Sequence, residues 1–251
     1  MIAHEYVWTF WSVAFLLPWA ALFLLVPEQR RIMLRASLLT APLGLSQPLF
    51  VPEYWNPPSL LGLAQRTGFD IESVLFSFGL GGVGAVLYNA VTRKASEPVP
   101  PQERCHRRHK HHISALLTPL VVFPVLYPWG WNPIYPAIIA MLVGAIANVG
   151  CRPELLGKTI LGGILFLVYY TLLFLGFQAS APGYVDQIWN WDAITGIRVL
   201  GMPIEELLFA GAFGCYWSGA YEHIFWMRPA RTEAAQSTRP HARAAKEPHH
   251  G

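Results

Sequence analysis

Residues 68–88, GFDIESVLFSFGLGGVGAVLY, decide the fold, because residues 201–221, GMPIEELLFAGAFGCYWSGAY, repeat them without a gap 133 positions later. Gly68/Gly201, Ile71/Ile204, Glu72/Glu205, Leu75/Leu208, Phe76/Phe209, Gly81/Gly214 and Tyr88/Tyr221 coincide. Each copy is an apolar segment that opens on a carboxylate. A charge at the edge of a membrane helix is costly, so an acid kept in both copies marks a candidate functional site.

The rest of the chain has the same character. Of 251 residues, 53% are hydrophobic and 13% charged, with the apolar residues in long blocks. That composition excludes a soluble domain and calls for no nucleic-acid partner. Blocks long enough to cross about 30 Å of hydrocarbon as helices fall near residues 7–26, 32–51, 71–92, 114–129, 133–150, 159–178 and 203–226. The expectation is an all-α integral membrane protein of seven transmembrane helices, the fourth doubtful because it is short and carries Pro119, Pro124 and Pro128.

Cationic side chains cluster in alternate connections: Arg30, Arg31 and Arg35, then Arg93 to Lys110, then Arg152 and Lys158, then Arg228 and Arg231. Positive loops stay in the cytoplasm, which places the N-terminus outside and the C-terminus inside. The first apolar block is preceded by no cation and followed by arginines, so it is read as a retained helix, not a cleaved signal. Cys105, Cys151 and Cys215 provide no disulfide framework.

Further correspondences extend the duplication. Pro27-Glu28 matches Pro153-Glu154, and Trp55-Asn56 matches Trp189-Asn190. The organisation expected is 3+1+3: a three-helix repeat over residues 1–93, a cationic cytoplasmic linker over 94–112, a linking helix over 113–130, a second repeat over 131–227 and a disordered polar tail over 228–251. The linker, KASEPVPPQERCHRRHKHH, lacks the apolar content to fold by itself. Its Cys105, His106, His109, His111 and His112 match no recognised closed spacing, so no metal site is assigned. Tyr54, Trp55, Trp129, Trp131, Tyr184, Trp189 and Trp191 sit at the outer ends of the spans, where an interfacial aromatic belt is expected.

The chemistry concentrates at the second acidic helix. Pro203 suits a first helical turn, and Glu205 and Glu206 there are favoured by the helix dipole, so a purely structural role is open. At 100° per residue, Glu205 shares a face with Phe209, Ala212, Tyr216 and Gly219, and Glu206 with Phe209, Phe213 and Trp217. Both acids therefore look down aromatic faces, where one carboxyl can serve as general acid and its partner as base. Gly79, Gly81, Gly82, Gly84 and Ala85 in the third span, with Ala210, Gly211, Ala212 and Gly214 in the seventh, would let these two helices approach and bring Glu72 near the pair.

Pro203-Ile204-Glu205-Glu206-Leu207-Leu208-Phe209 resembles the P-x-E-E-x-x-F signature of the membrane-embedded, non-flavin lycopene cyclase family. The duplicated three-helix unit is similar as well. The resemblance implies a carotenoid cyclase-like isomerase of the bacterial cell membrane, which takes its polyisoprenoid substrate from the bilayer. Lycopene ψ-ends would close to rings through a protonated intermediate with no net redox change and no cofactor. Glu205, Glu206 and Glu72 would carry the proton transfers, and Pro203, Phe209, Phe213, Tyr216, Trp217 and Phe76 would bind the substrate. Where the second copy has Pro203 and Glu206 the first has Asp70 and Ser73, so the two copies are expected to be chemically unequal.

Competing readings are another cofactor-free polyisoprenoid transformation, such as hydration, and a non-enzymatic proton-coupled transporter or lipid-binding protein, since paired intramembrane carboxylates also serve proton relays. A prenyltransferase would need paired Asp-rich magnesium sites, and only Asp186 and Asp192 are at hand. A retinal protein would need a lysine in its last span, yet Lys94, Lys110, Lys158 and Lys246 read as loop or tail residues.

Overall fold

Apolar blocks of this length satisfy their backbone donors inside a bilayer only by coiling. The computed structural model, which describes residues 2–230, turns each block into a helix. In chain order these are α1 (His4–Leu25), α2 (Arg30–Thr40), α3 (Ile71–Thr92), α4 (Arg107–Trp129), α5 (Ile134–Cys151), α6 (Pro153–Ser180) and α7 (Ile204–Phe225). The second pass changes character at its middle. After Thr40 it tightens into 3-10 turns over Ala41–Leu49, a stretch holding Pro42, Gly44 and Pro48 that the α-helix does not favour.

Five of the helices, α1, α3, α4, α5 and α6, are long and apolar enough to cross a membrane. Seven helices correspond to the seven expected spans, and these five meet that measure of length and apolarity among the described residues. The pass built on α2 opens with Arg30, Arg31 and Arg35, and α7 carries Glu205, Glu206 and Glu222, so both depart from a plain apolar segment. The doubtful fourth block is among the five, proline-bearing and barely buried, as a lipid-facing helix would be.

Both ends of the bundle are sewn together by backbone pairing. Where the 50–70 and 181–203 loops meet, Asn56 N–H donates to Ile188 O and Asn190 N–H to Tyr54 O, each at 2.9 Å. Four short strands complete the ends: β1 (Ser96–Pro98), β2 (Arg198–Val199), β3 (Met202–Pro203) and β4 (Met227–Pro229), paired β1 with β4 and β2 with β3, all antiparallel. The linker, expected to lack structure of its own, is therefore ordered. Residues after α7 supply the partner its polar sequence lacked: Val99 N–H donates to Trp226 O at 2.7 Å, and Arg228 bridges Glu97 and Glu103, each at 2.8 Å. Those two carboxylates hold the Arg228 guanidinium above its ordinary range. Of the tail expected over 228–251, residues 231–251 lie outside the described residues.

α3 and α7 have the same length and the same ends. α7 starts and stops 133 residues after α3. Gly68 and Gly201 approach them with φ +78° and +82°, and Arg93 and Trp226 end them with φ 54° and 53°. Glycine meets the left-handed turn without strain. Their small residues, however, do not chiefly face each other. A Cβ on Gly81 would strike Thr40 of α2, and one on Gly214 would strike Phe166 and Gly163 of α6. α3 and α7 meet through Gly84, which lies under the Phe213 and Trp217 rings, and through Trp217 Nε1, which donates to Gly81 O at 2.9 Å.

Lys158, read as a loop residue, lies inside α6 and is buried. It donates to the Glu222 carboxylate and, at 3.2 Å, to Asn89 Oδ1. It thereby joins the far ends of α7 and α3.

Candidate functional site

Three acids open the two matched helices, and the structure gives them different surroundings. Glu205 and Glu72 occupy equivalent positions and do equivalent work. Glu72 Oε1 accepts from Thr9 Oγ1 at 2.7 Å and from Leu60 N–H at 2.6 Å. Glu205 Oε1 accepts from Tyr135 OH at 2.8 Å, from Thr195 N–H at 3.0 Å and from Thr195 Oγ1 at 2.7 Å. Each ties its helix to a neighbouring helix and to the loop before it. In both, Oε2 is buried without a partner.

Glu206 differs. Its Oε1 accepts from Tyr54 OH at 2.6 Å and Trp189 Nε1 at 3.0 Å, and its Oε2 accepts from Tyr170 OH at 2.5 Å. Both oxygens are engaged, and the residue is buried. Donors come from the 50–70 loop, from α6 and from the 181–203 loop, so the carboxyl is held from three directions. Burial and the neighbouring Glu206 carboxylate push the Tyr54 phenol well above its ordinary value. Tyr54 therefore keeps its proton throughout the neutral range and remains a donor.

Glu206 borders a cavity of about 270 Å³ between the two halves of the chain. Ser73, its counterpart on α3, borders the same cavity from the opposite half. The remaining wall is mainly aromatic. Phe76 packs on Trp8 at 5.5 Å and Phe15 at 5.0 Å, while Tyr170 packs on Phe174 and Phe209, both at 6.2 Å. Phe209 stacks on Phe213 at 5.9 Å. Faces of this kind attract a cation by their quadrupole.

Of the residues singled out in the sequence, Glu206, Phe76, Phe209 and Phe213 line this cavity. Glu205 and Glu72 do not. Pro203 is buried in β3 ahead of α7. Tyr216 donates to Leu116 O at 2.6 Å and so fastens α7 to α4. Trp217 stacks behind Phe213 at 6.0 Å while bonding α3. Asp70, the displaced acid of the first copy, is an N-cap: its Oδ1 accepts from Ser73 N–H at 2.5 Å, and burial raises its carboxyl above the ordinary value.

Tyr54, Tyr170 and Trp189, the three donors to Glu206, are missing from the sequence-based site. Tyr54 and Trp189 were assigned to an interfacial belt together with Tyr184, yet all three are buried. Burial and the Glu72 charge push the Tyr184 phenol upward. Trp129 and Trp131 are exposed, as belt residues should be. Trp55 and Trp189 of the repeated Trp-Asn pair bridge each other in the backbone pairing that closes the site, but exposed Trp131 also precedes an asparagine, so the dipeptide alone does not separate the two sets.

Fold and site together define a helical membrane protein that holds one buried carboxyl against an aromatic cavity. Residues 132–224, the stretch from α5 to α7, match the family model described as Lycopene cyclase. No curated protein and no solved structure matches the chain.

Proposed function

We propose that the protein is a cofactor-free carotenoid cyclase-like isomerase in which Glu206 handles the proton. The observation that carries this reading is the position of Glu206, which alone among the three acids at the helix starts borders the aromatic cavity. The lycopene cyclase match over residues 132–224 supports the substrate class.

The chemistry follows from what a linear ψ-end needs. A protonated Glu206 adds its proton to the terminal alkene and leaves a tertiary carbocation. The neighbouring double bond attacks that centre, a carbon–carbon bond forms, and the charge moves into the new ring. Loss of a ring proton to the now ionised Glu206 restores the alkene, so atoms and electrons balance and no redox partner is required. Tyr54 and Tyr170 stabilise the carboxylate between these steps, and the aromatic wall excludes water and faces the cation.

A volume of 270 Å³ lies just under the range of about 300–1,000 Å³ typical of drug-sized ligands. It suits one end group, with the rest of the polyene outside the cavity. Glu205 and Glu72 act in this reading as positioning residues that hold the two helix starts. The matched ends of α3 and α7 support a duplicated 3+1+3 architecture, with the linker in the cytoplasm.

Expression in lycopene-making cells tests the proposal. Cyclic carotenoids are expected with the wild-type chain and unreacted lycopene with Glu206→Gln. In deuterated water each ring should gain one deuterium at the carbon that received the proton. Rings lacking deuterium would overturn the assignment.

A further inference from the structure

At the end of the bundle away from Glu206, two histidines of the linker region meet a cysteine that sequence spacing keeps far apart. Cys151 Sγ, in the last turn of α5, lies 3.4 Å from His109 Nδ1 and 3.7 Å from His112 Nδ1. The three atoms lie within 4.8 Å of one another. A tetrahedral zinc ion with bonds of about 2.3 Å to sulfur and about 2.0–2.1 Å to nitrogen sets its ligand atoms about 3.6 Å apart. Both sulfur–nitrogen distances match that edge.

The ring of His112 is already oriented as a ligand. Its Nε2 lies 2.8 Å from His223 O, a carbonyl that can only accept, so the proton sits on Nε2 and the lone pair of Nδ1 points to Cys151. A ligating histidine commonly shows this pairing with a carbonyl. Stacking on His223 and on Trp226, both at 3.8 Å, locks the ring plane.

Several buried polar atoms near the cluster lack partners. Asn148, one turn before Cys151 and 3% exposed, has neither amide atom bonded, and Arg152 Nη2 and His223 Nδ1 are buried without partners. Buried polar groups in native proteins are ordinarily bonded, and waters held beside an ion would supply acceptors for Arg152 Nη2 and Asn148 Nδ2 and donors for Asn148 Oδ1. Arg152 adds positive charge beside the site, which Glu154 Oε1 offsets at 2.8 Å. His109 borders a recess of about 820 Å³ that also holds Cys105, His106 and Glu154, so a fourth ligand or a water can arrive from solution.

We propose that His109 Nδ1, His112 Nδ1 and Cys151 Sγ bind a zinc ion that clamps the linker to the last turn of α5. Two nitrogens and one thiolate suit zinc over magnesium or calcium. Binding displaces the Cys151 thiol proton to solvent and involves no electron transfer. The site is independent of the reading of Glu206.

The test uses the full chain in detergent, carrying no added histidine tag, titrated with cobalt as a spectroscopic stand-in for zinc. A thiolate-to-cobalt charge-transfer band and the strong visible bands of tetrahedral cobalt are expected, and added zinc should bleach both. Cys151→Ser should abolish the charge-transfer band, and His109→Ala should weaken binding about tenfold or more, as loss of a metal-site group does. Should Cys151→Ser fail to fold, the Cys105→Ser/Cys215→Ser variant decides: a retained band supports the site and a lost band overturns it. No thiolate band in the wild-type chain, as when cobalt settles only on His249 and His250 of the tail, also overturns it.

Discussion

α3 and α7 are two copies of one helix with the same length and the same ends, and their differences matter most at two positions. Both have 22 residues, both start on an acid that pins a loop, and both end on a left-handed residue. At two positions they part in charge: Ser73 stands where α7 has Glu206, and Asn89 stands where α7 has Glu222. In each case α7 carries a buried acid and α3 a neutral polar group. The unshared acids take the special surroundings, Glu206 with three donors beside the cavity and Glu222 on buried Lys158. Glu72 and Glu205, the shared pair, do the same structural task twice. Retained likeness here accompanies architecture, and divergence accompanies charge.

The strongest way to break that division is at the far end. Removing one member of a buried ion pair leaves the other uncompensated, so Glu222→Gln or Lys158→Met should each lower stability by about 3–5 kcal/mol, and the double variant should recover much of the loss. Unfolding in detergent measures it. Singles as stable as the wild type would reduce the Asn89/Glu222 difference to decoration.

The next test sets neighbours against each other. Glu206→Gln should lower ring formation by roughly 100-fold or more, the loss expected of a general acid. Glu205→Gln should resemble Glu72→Gln instead, costing about 1–3 kcal/mol of stability through stranded donors, with much of the turnover kept. Equal loss of turnover in the Glu205 and Glu206 variants, measured on purified protein with lycopene, would erase the distinction. The smallest effect is expected of Ser73→Glu, which restores an acid to the first mouth without the Tyr170 and Trp189 donors. Its turnover should stay well inside the roughly 100-fold range that separates Glu206→Gln from wild type. A gain large enough to rescue Glu206→Gln would show the two mouths to be interchangeable.

Much of this was legible in the amino-acid order. The apolar blocks foretold the helices, and the gapless match of residues 68–88 with 201–221 foretold that α3 and α7 would end alike. What stayed hidden depends on rotation and on distance along the chain. Adjacent glutamates point about 100° apart on a helix, and both faces carry aromatic rings in the sequence, so only packing shows that Glu206 and not Glu205 borders the cavity. Tyr54 reaches Glu206 across 152 residues, and His109 reaches Cys151 across 42. No local pattern encodes such pairings. α2 and α7 fall short of the five most apolar helices because their arginines and glutamates lower the apolarity that an apolar run judged by length suggests.

Tyr54 belongs to the first half of the chain and Glu206 to the second, and a ribosome makes them in that order. Until the Tyr54–Asn56 backbone has paired with Ile188–Asn190, Glu206 lacks its most distant donor and its cavity lacks the wall bearing Trp8, Phe15 and Phe76. Order of synthesis thus acts as a safety catch: a half-made chain carries Tyr54 and the first wall but no Glu206, so the acid is made only when its chamber can close around it.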